Sequence, residues 1–191
     1  MAKTARDIIL SMLFPRKPVC LLCGDGISSG GGPLCQRCID SISPIDPPLC
    51  RKCGKPQENS FDECHDCTEK AHYFLEARAY GYYAGVLKEL IYEFKYRGNQ
   101  EISKLLGDML LKTLNTLSWP TFDYIVPVPL HPKRERERGF NQALLLSKAI
   151  SFGIGIPLHR GLKRIVNTEH QTLLDKSRRG KNLQGAFEIR E

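Results

Sequence analysis

Residues 20–67 read CLLCGDGISSGGGPLCQRCIDSISPIDPPLCRKCGKPQENSFDECHDC and hold all 8 cysteines of the chain. They fall as four C-x-x-C pairs, Cys20/Cys23, Cys35/Cys38, Cys50/Cys53 and Cys64/Cys67, separated by 11, 11 and 10 residues. A C-x-x-C turn sets two thiolates on one side of a tight knuckle, and two knuckles complete the tetrahedral Cys₄ shell that Zn²⁺ prefers. Eight thiolates therefore predict two structural zinc ions, with every coordination position filled by protein and none open to a substrate. Gly24 and Gly54 follow the second cysteine of a knuckle, where the chain needs positive φ to turn. A disulfide framework belongs to secreted chains, and iron–sulfur clusters use other ligand spacings.

Two knuckle pairings are open. Sequential pairing joins Cys20/Cys23 to Cys35/Cys38 and Cys50/Cys53 to Cys64/Cys67; a cross-brace joins the first knuckle to the third and the second to the fourth. Loops of this length suit a β-hairpin between knuckles, which favours two tandem ribbons. His65, between two cysteines, is expected to be exposed rather than a ligand. So small a module has almost no apolar core and draws much of its folding energy from metal. Gly30-Gly31-Gly32 has neither a following Lys-Ser/Thr nor a following helix, so it reads as a hairpin tip and not as a phosphate loop.

The surrounding chain is 191 residues long, 26% charged and 41% hydrophobic, which suits a small module plus a medium packed domain and excludes disorder. No apolar run approaches the ~18 residues of a membrane span. The patch 8–14 is broken by Ser11 and ends at Pro15, so it reads as part of an amphipathic helix over 4–13, and the chain is placed in the cytoplasm. The expected units are an N-terminal helix (1–18), the double zinc ribbon (19–70) and a third unit (73–191). Residues 131–191 carry 13 Lys+Arg against 6 Asp+Glu, whereas residues 1–130 balance at 15 each, so the whole net charge of +7 lies at the C-terminal end. Such an excess is either a solvated surface or a site for phosphate.

After an aromatic, extended stretch over 73–83, Val86, Leu87, Leu90, Ile91 and Phe94 recur at helical spacing and stop at Gly98. A second amphipathic helix runs from Ile102 to Leu117 and is closed by Trp119-Pro120. The run DYIVPVPL (123–130) reads as a strand buried on both faces of a parallel sheet, followed by a basic loop and a helix through 143–150. Further strands are expected over 157–162 and 186–189, with a short helix over 171–179. Strand, loop, helix, strand is the pattern of an α/β domain, whose ligands bind outside the carboxyl ends of the strands. The basic loop supplies Lys133, Arg134, Arg136, Arg138, Gly139 and Asn141, and guanidinium forks beside a helix start suit phosphate oxygens. The alternation RERER also fits a self-neutralising solvent-exposed turn; its place at a strand end favours phosphate.

Several of these motifs occur together in order: the paired cysteine ribbons, KYRG (95–98), VPVPL (126–130), RERGFNQ (136–142) and Q-x-x-L-x-x-x-x-R-x-x-N-x-x-G-A-F (171–187). The chain resembles the ComF-type competence proteins along essentially its whole length. That resemblance implies a double zinc ribbon followed by a type I phosphoribosyltransferase-like α/β domain, phosphoribosyl pyrophosphate with Mg²⁺ as ligand, and a role in DNA uptake. It also implies one departure. In the family, G-A-F precedes a strand ending in two acidic residues and a Thr-Thr-Gly-type turn that binds the ribose phosphate. Here the sequence ends at Glu191 and its only adjacent acidic pair, Asp62-Glu63, precedes Cys64. The expectation is an incomplete, C-terminally truncated phosphoribosyltransferase-like domain that keeps the pyrophosphate side, does not catalyse alone, and exposes a sheet edge for a second copy or a partner. The alternatives are a zinc-ribbon accessory binding single-stranded DNA or DNA-uptake proteins, with Tyr80, Tyr82 and Tyr83 as stacking candidates, and one product of a split transferase gene.

Overall fold

A computed structural model describes residues 18–27, 32–59, 62–117, 121–169 and 171–190. The helix expected over 4–13, the Gly30-Gly31 tip and the Trp119-Pro120 stop lie outside them. Each ribbon is a knuckle followed by a one-turn helix. Bridges Val19↔Gly26 and Leu49↔Pro56 close the first knuckle of each ribbon, and α1 (Gln36–Asp40) and α2 (His65–Glu69) carry the second. Among the described residues the hairpins lie around the first knuckle of each ribbon, whereas the loop lengths predict them between knuckles. Gly24 (φ +78°) and Gly54 (φ +72°) make the turns that bring the chain back.

Three longer helices form the body: α3 (Gly85–Tyr96), α4 (Ile102–Asn115) and, after the basic segment, α6 (Gln142–Ile154). In α3 the i, i+3 and i+7 positions Leu87, Leu90 and Phe94 are buried, and Gly98 (φ +71°) ends the run. In α4 the i, i+4 and i+7 positions Ile102, Leu106 and Met109 are buried. α4 and α6 cross closely, for a Cβ on Gly107 would lie 2.6 Å from that of Ala149.

The first ribbon belongs to this body. Cys20, Leu34, Cys38 and Ile42 share one apolar cluster with Leu87, Leu90, Phe94, Ile102, Leu106, Met109 and Phe140. The second ribbon has its own small cluster of Cys50, Cys64 and Cys67, with Cys53 against it. It is tied to the extended segment before α3 by polar contacts: Ala77 N donates to Lys52 O at 2.8 Å, and Arg78 donates to Arg51 O at 3.0 Å.

Expectations about the C-terminal part need correction. The basic segment is not a loop but a helix, α5 (Pro132–Arg138). Pro132 sits at the first turn, where its missing N–H costs nothing, His131 Nδ1 accepts from Lys133 N at 3.3 Å, and Gly139 (φ +80°) ends the helix. Lys, Arg and Glu between these caps are good helix formers. The run over 123–130 is not a buried strand. Only Ile125 pairs, in a parallel bridge to Leu158 with bonds of 2.9 Å to Pro157 and from His159, while Val126 and Val128 are 50% and 60% exposed. Pro127 and Pro129 have no N–H to give to a ladder, and this limits the pairing.

The sheet of the described residues is antiparallel: β1 (Leu162–Arg164) pairs β2 (Phe187–Ile189) in the register Leu162↔Ile189, Lys163↔Glu188, Arg164↔Phe187. The expected strand over 157–162 is split into the Leu158 bridge and β1. Between the two strands lie a 3₁₀ turn, Gln171–Leu173, and α7 (Lys176–Leu183), a helix four to five residues later than expected because Asp175 caps it by accepting from Arg178 N at 2.8 Å.

Candidate metal centres and the basic segment

The structure gathers the cysteines as Cys20, Cys23, Cys35 and Cys38, and as Cys50, Cys53, Cys64 and Cys67, each set with its sulfurs within 4.8 Å of one another. This is the sequential pairing. Individual Sγ–Sγ distances are 3.7 Å for Cys20–Cys38, 3.6 Å for Cys23–Cys35 and 3.7 Å for Cys53–Cys64. A tetrahedron of ~2.3 Å Zn–S bonds has edges of about 3.8 Å, so both sets fit a zinc ion as they stand.

The knuckles also prepare the sulfurs for a cation. Burial opposes the thiolate of Cys50, but N–H groups of Cys53 and Cys64, at 3.5 Å and 3.3 Å from its Sγ, outweigh burial and bring the thiol down to about 6. Cys20 likewise falls to about 6, as backbone N–H groups of Cys23, Cys35 and Leu22 overcome desolvation. Cys38, without such donors, is pushed up to about 12 by burial and by the neighbouring sulfurs. Full ionisation of either set therefore calls for a metal to share the charge. Arg37 donates to Asp25 and lies 4.0 Å from Cys23 Sγ, adding a positive charge beside the first site. His65 is 82% exposed and pairs with Glu69 at 3.4 Å, so it stands outside the ligand set.

The six residues expected to hold phosphate do not share one surface. Positions 134 and 138, four apart, lie on the inner face of α5, and Arg136 and Lys133 are exposed. Arg134 is buried and donates to the carbonyl of Thr168. Arg138 lies over the Tyr96 ring at 5.5 Å and donates to Gln142 Oε1 at 3.3 Å, while Gln142 Nε2 donates to Lys95 O at 3.4 Å. KYRG and RERGFNQ are thereby one packed unit. Asn141 caps α6 by accepting from Leu144 N and donates to Val128 O, both at 3.3 Å. Phe140 is buried against Phe94, with ring centroids 5.5 Å apart. Gly139 supplies the turn between these groups.

Residues outside the expected set join this unit. Arg164 is 7% exposed and donates to the Thr168 hydroxyl, so two arginines meet on one threonine. Burial, then the charges of Arg134 and Arg138, pull the Arg164 guanidinium below its usual range; burial and Arg138 do the same to Lys95. Arg164 lies two residues beyond the strand expected over 157–162, and no sequence pattern marked it. The late motif braces itself: Asn182 exchanges bonds of 3.1 Å and 3.2 Å with Glu169, and Arg179 Nε donates to Gln171 O and Leu174 O at 3.1 Å and 3.0 Å. Its Gln, Arg and Asn hold backbone. Of the tyrosines considered for stacking, Tyr82 and Tyr83 are exposed, whereas Tyr80 packs against the core.

Residues 9–68 match the family model described as the double zinc ribbon domain. Competence protein F of Haemophilus influenzae is 32% identical over 133 residues, which is 66% of this chain and 57% of that protein. Competence protein ComFC of Bacillus subtilis is 35% identical over 97 residues, 51% of this chain and 38% of that protein. DNA utilization protein YhgH of Escherichia coli K12 is 30% identical over 141 residues, 71% of this chain and 62% of that protein. The chain therefore spans less than two thirds of the length of these relatives. No solved structure matches significantly. The chain carries a double zinc ribbon with two Cys₄ sites compatible with structural zinc, and it is a homologue of the competence protein F, ComFC and YhgH proteins.

Proposed function

We propose that this chain is a ComF-like, phosphoribosyltransferase-fold accessory of DNA uptake that works in the cytoplasm. The observation that carries the reading is the homology to proteins named for competence and DNA utilization. No described helix is long and apolar enough to cross a membrane, which agrees with it. In this reading residues 73–191 are a phosphoribosyltransferase-like domain after a ribbon over 19–70. The metal sites are structural, and the segment with Lys133, Arg134, Arg136, Arg138, Gly139 and Asn141 takes pyrophosphate or the pyrophosphate end of phosphoribosyl pyrophosphate with Mg²⁺.

Alone, the 191-residue chain does not transfer phosphoribosyl groups. Transfer requires both the pyrophosphate and the ribose phosphate to be held while the bond between pyrophosphate and sugar breaks, and positioning of that kind supplies several kcal/mol. These residues contain no acidic pair followed by a Thr-Thr-Gly turn. The exposed Val126, Val128 and Ile189 give a second copy or a partner an apolar edge to cover. A non-catalytic role in binding single-stranded DNA is the second reading, favoured by exposed Tyr82 and Tyr83.

Calorimetric titration with pyrophosphate and with a single-stranded oligonucleotide tests both. Replacing Arg136 and Arg138 together by alanine is expected to weaken pyrophosphate binding about tenfold or more. The ~1.5–3 kcal/mol of one charged hydrogen bond in a shielded place comes mainly from half-buried Arg138, and solvent screening leaves exposed Arg136 a smaller share. Unchanged affinity makes α5 a solvated helix, and pyrophosphate release from phosphoribosyl pyrophosphate by this chain overturns the non-catalytic reading.

A further inference from the structure

Against the Pro132 and Glu135 side of α5 lies a cavity of about 170 Å³ whose polar lining is Glu135, Asn141, Arg160, Lys163, Arg164 and Arg190. Prolines and leucines of the 127–132 turn, of α6 and of β1 form the rest of its wall. Four cations share this space with one carboxylate. Arg164 is more than nine-tenths buried, and its Nε is buried with no hydrogen-bond partner among the described residues. Arg164 and Arg134 meet on Thr168, one on its hydroxyl and one on its carbonyl. Each guanidinium has five N–H groups, so donors far outnumber acceptors here. A buried cation without a counter-charge is costly, and an anion in the cavity removes that cost.

The size of the space selects the anion. At ~30 Å³ per water it holds about five or six waters, enough for one tetrahedral oxyanion. Guanidinium forks match phosphate oxygens in geometry as well as charge. We infer that this cavity binds a single phosphate group of a small phosphorylated ligand, with Arg160, Lys163 and Arg164 as its anchors. The inference rests on the phosphate reading of the basic segment but relies on different side chains, since Lys133 and Arg136 are exposed on the other faces of α5.

The test titrates the full chain with inorganic phosphate and with a single-stranded oligonucleotide, comparing wild type with Arg160→Gln/Lys163→Gln. Arg160 is exposed and Lys163 half-buried, and a melting curve in phosphate-free buffer checks that the pair folds. Millimolar phosphate is expected to raise the wild-type Tm. The cavity pair should lose at least tenfold in phosphate affinity and most of that rise, with oligonucleotide binding unchanged. Equal phosphate affinity in the pair and wild type overturns the inference, as does the absence of phosphate binding by wild type. A parallel loss of phosphate and oligonucleotide also overturns it, since that marks a general basic surface. The Arg136→Ala/Arg138→Ala pair reports separately: unchanged pyrophosphate affinity there defeats the earlier reading even where the cavity pair has lost phosphate.

Discussion

Replacing Cys20 by serine is expected to unfold the helical body as well as the first ribbon, whereas replacing Cys50 removes only the second. Cys20 is 2% exposed and packs in the same cluster as Leu87, Leu90 and Phe94, so the first metal site is part of the main core. Structural zinc in small modules contributes apparent free energies of ~10–16 kcal/mol, and a whole domain is stable by only ~5–15 kcal/mol. Loss of the first site removes an amount comparable to the total. Cys50 is 0% exposed, but its cluster contains only the cysteines of its own ribbon, and its described ties to the segment before α3 are polar: the backbone bond from Ala77 to Lys52 and the Arg78 side chain's bond to Arg51 O. Circular dichroism of the two variants should show the helical signal lost, with no cooperative melt at 25 °C, for Cys20→Ser, and a near wild-type helical melt for Cys50→Ser. Equal damage from both would mean that the ribbons fold as one unit.

The second large effect is expected at Phe94, which is 2% exposed and meets Phe140 at 5.5 Å. Phe94→Ala removes a ring from the cluster that α3, the first ribbon and the α5–α6 turn share. Loss of a buried phenylalanine costs ~3–5 kcal/mol, here joined by the contact that places Phe140 between Gly139 and Asn141. Urea unfolding should show the midpoint fall with little change in slope, and pyrophosphate affinity should fall with it through the displaced Asn141 and Arg138. A loss below about 1 kcal/mol would show that the turn is held by its hydrogen bonds alone.

The ligand sets were legible in the sequence because a metal knuckle is local: three residues fix each pair, and Gly24 and Gly54 mark its turn. Helices α3 and α4 were legible because Leu87, Leu90, Phe94 and Ile102, Leu106, Met109 repeat at helical spacing over several turns. The basic segment was not, because RERER has no apolar face and only helix-forming composition between Pro132 and Gly139 marks it. The run 123–130 misled for the opposite reason. Its apolar content is that of a strand, but alternate prolines remove the donors that a strand needs. The meeting of Arg134 and Arg164 on Thr168 joins residues about thirty positions apart, which no local pattern encodes.

Two independent Cys₄ zinc sites, paired in sequence order, are expected to organise this chain. Zinc content per chain, measured on purified wild-type protein and on Cys50→Ser, tests this most directly. Two zinc ions are expected in the wild type and one, still bound, in the variant. Near-zero zinc, iron in its place, or loss of both ions from Cys50→Ser would contradict it.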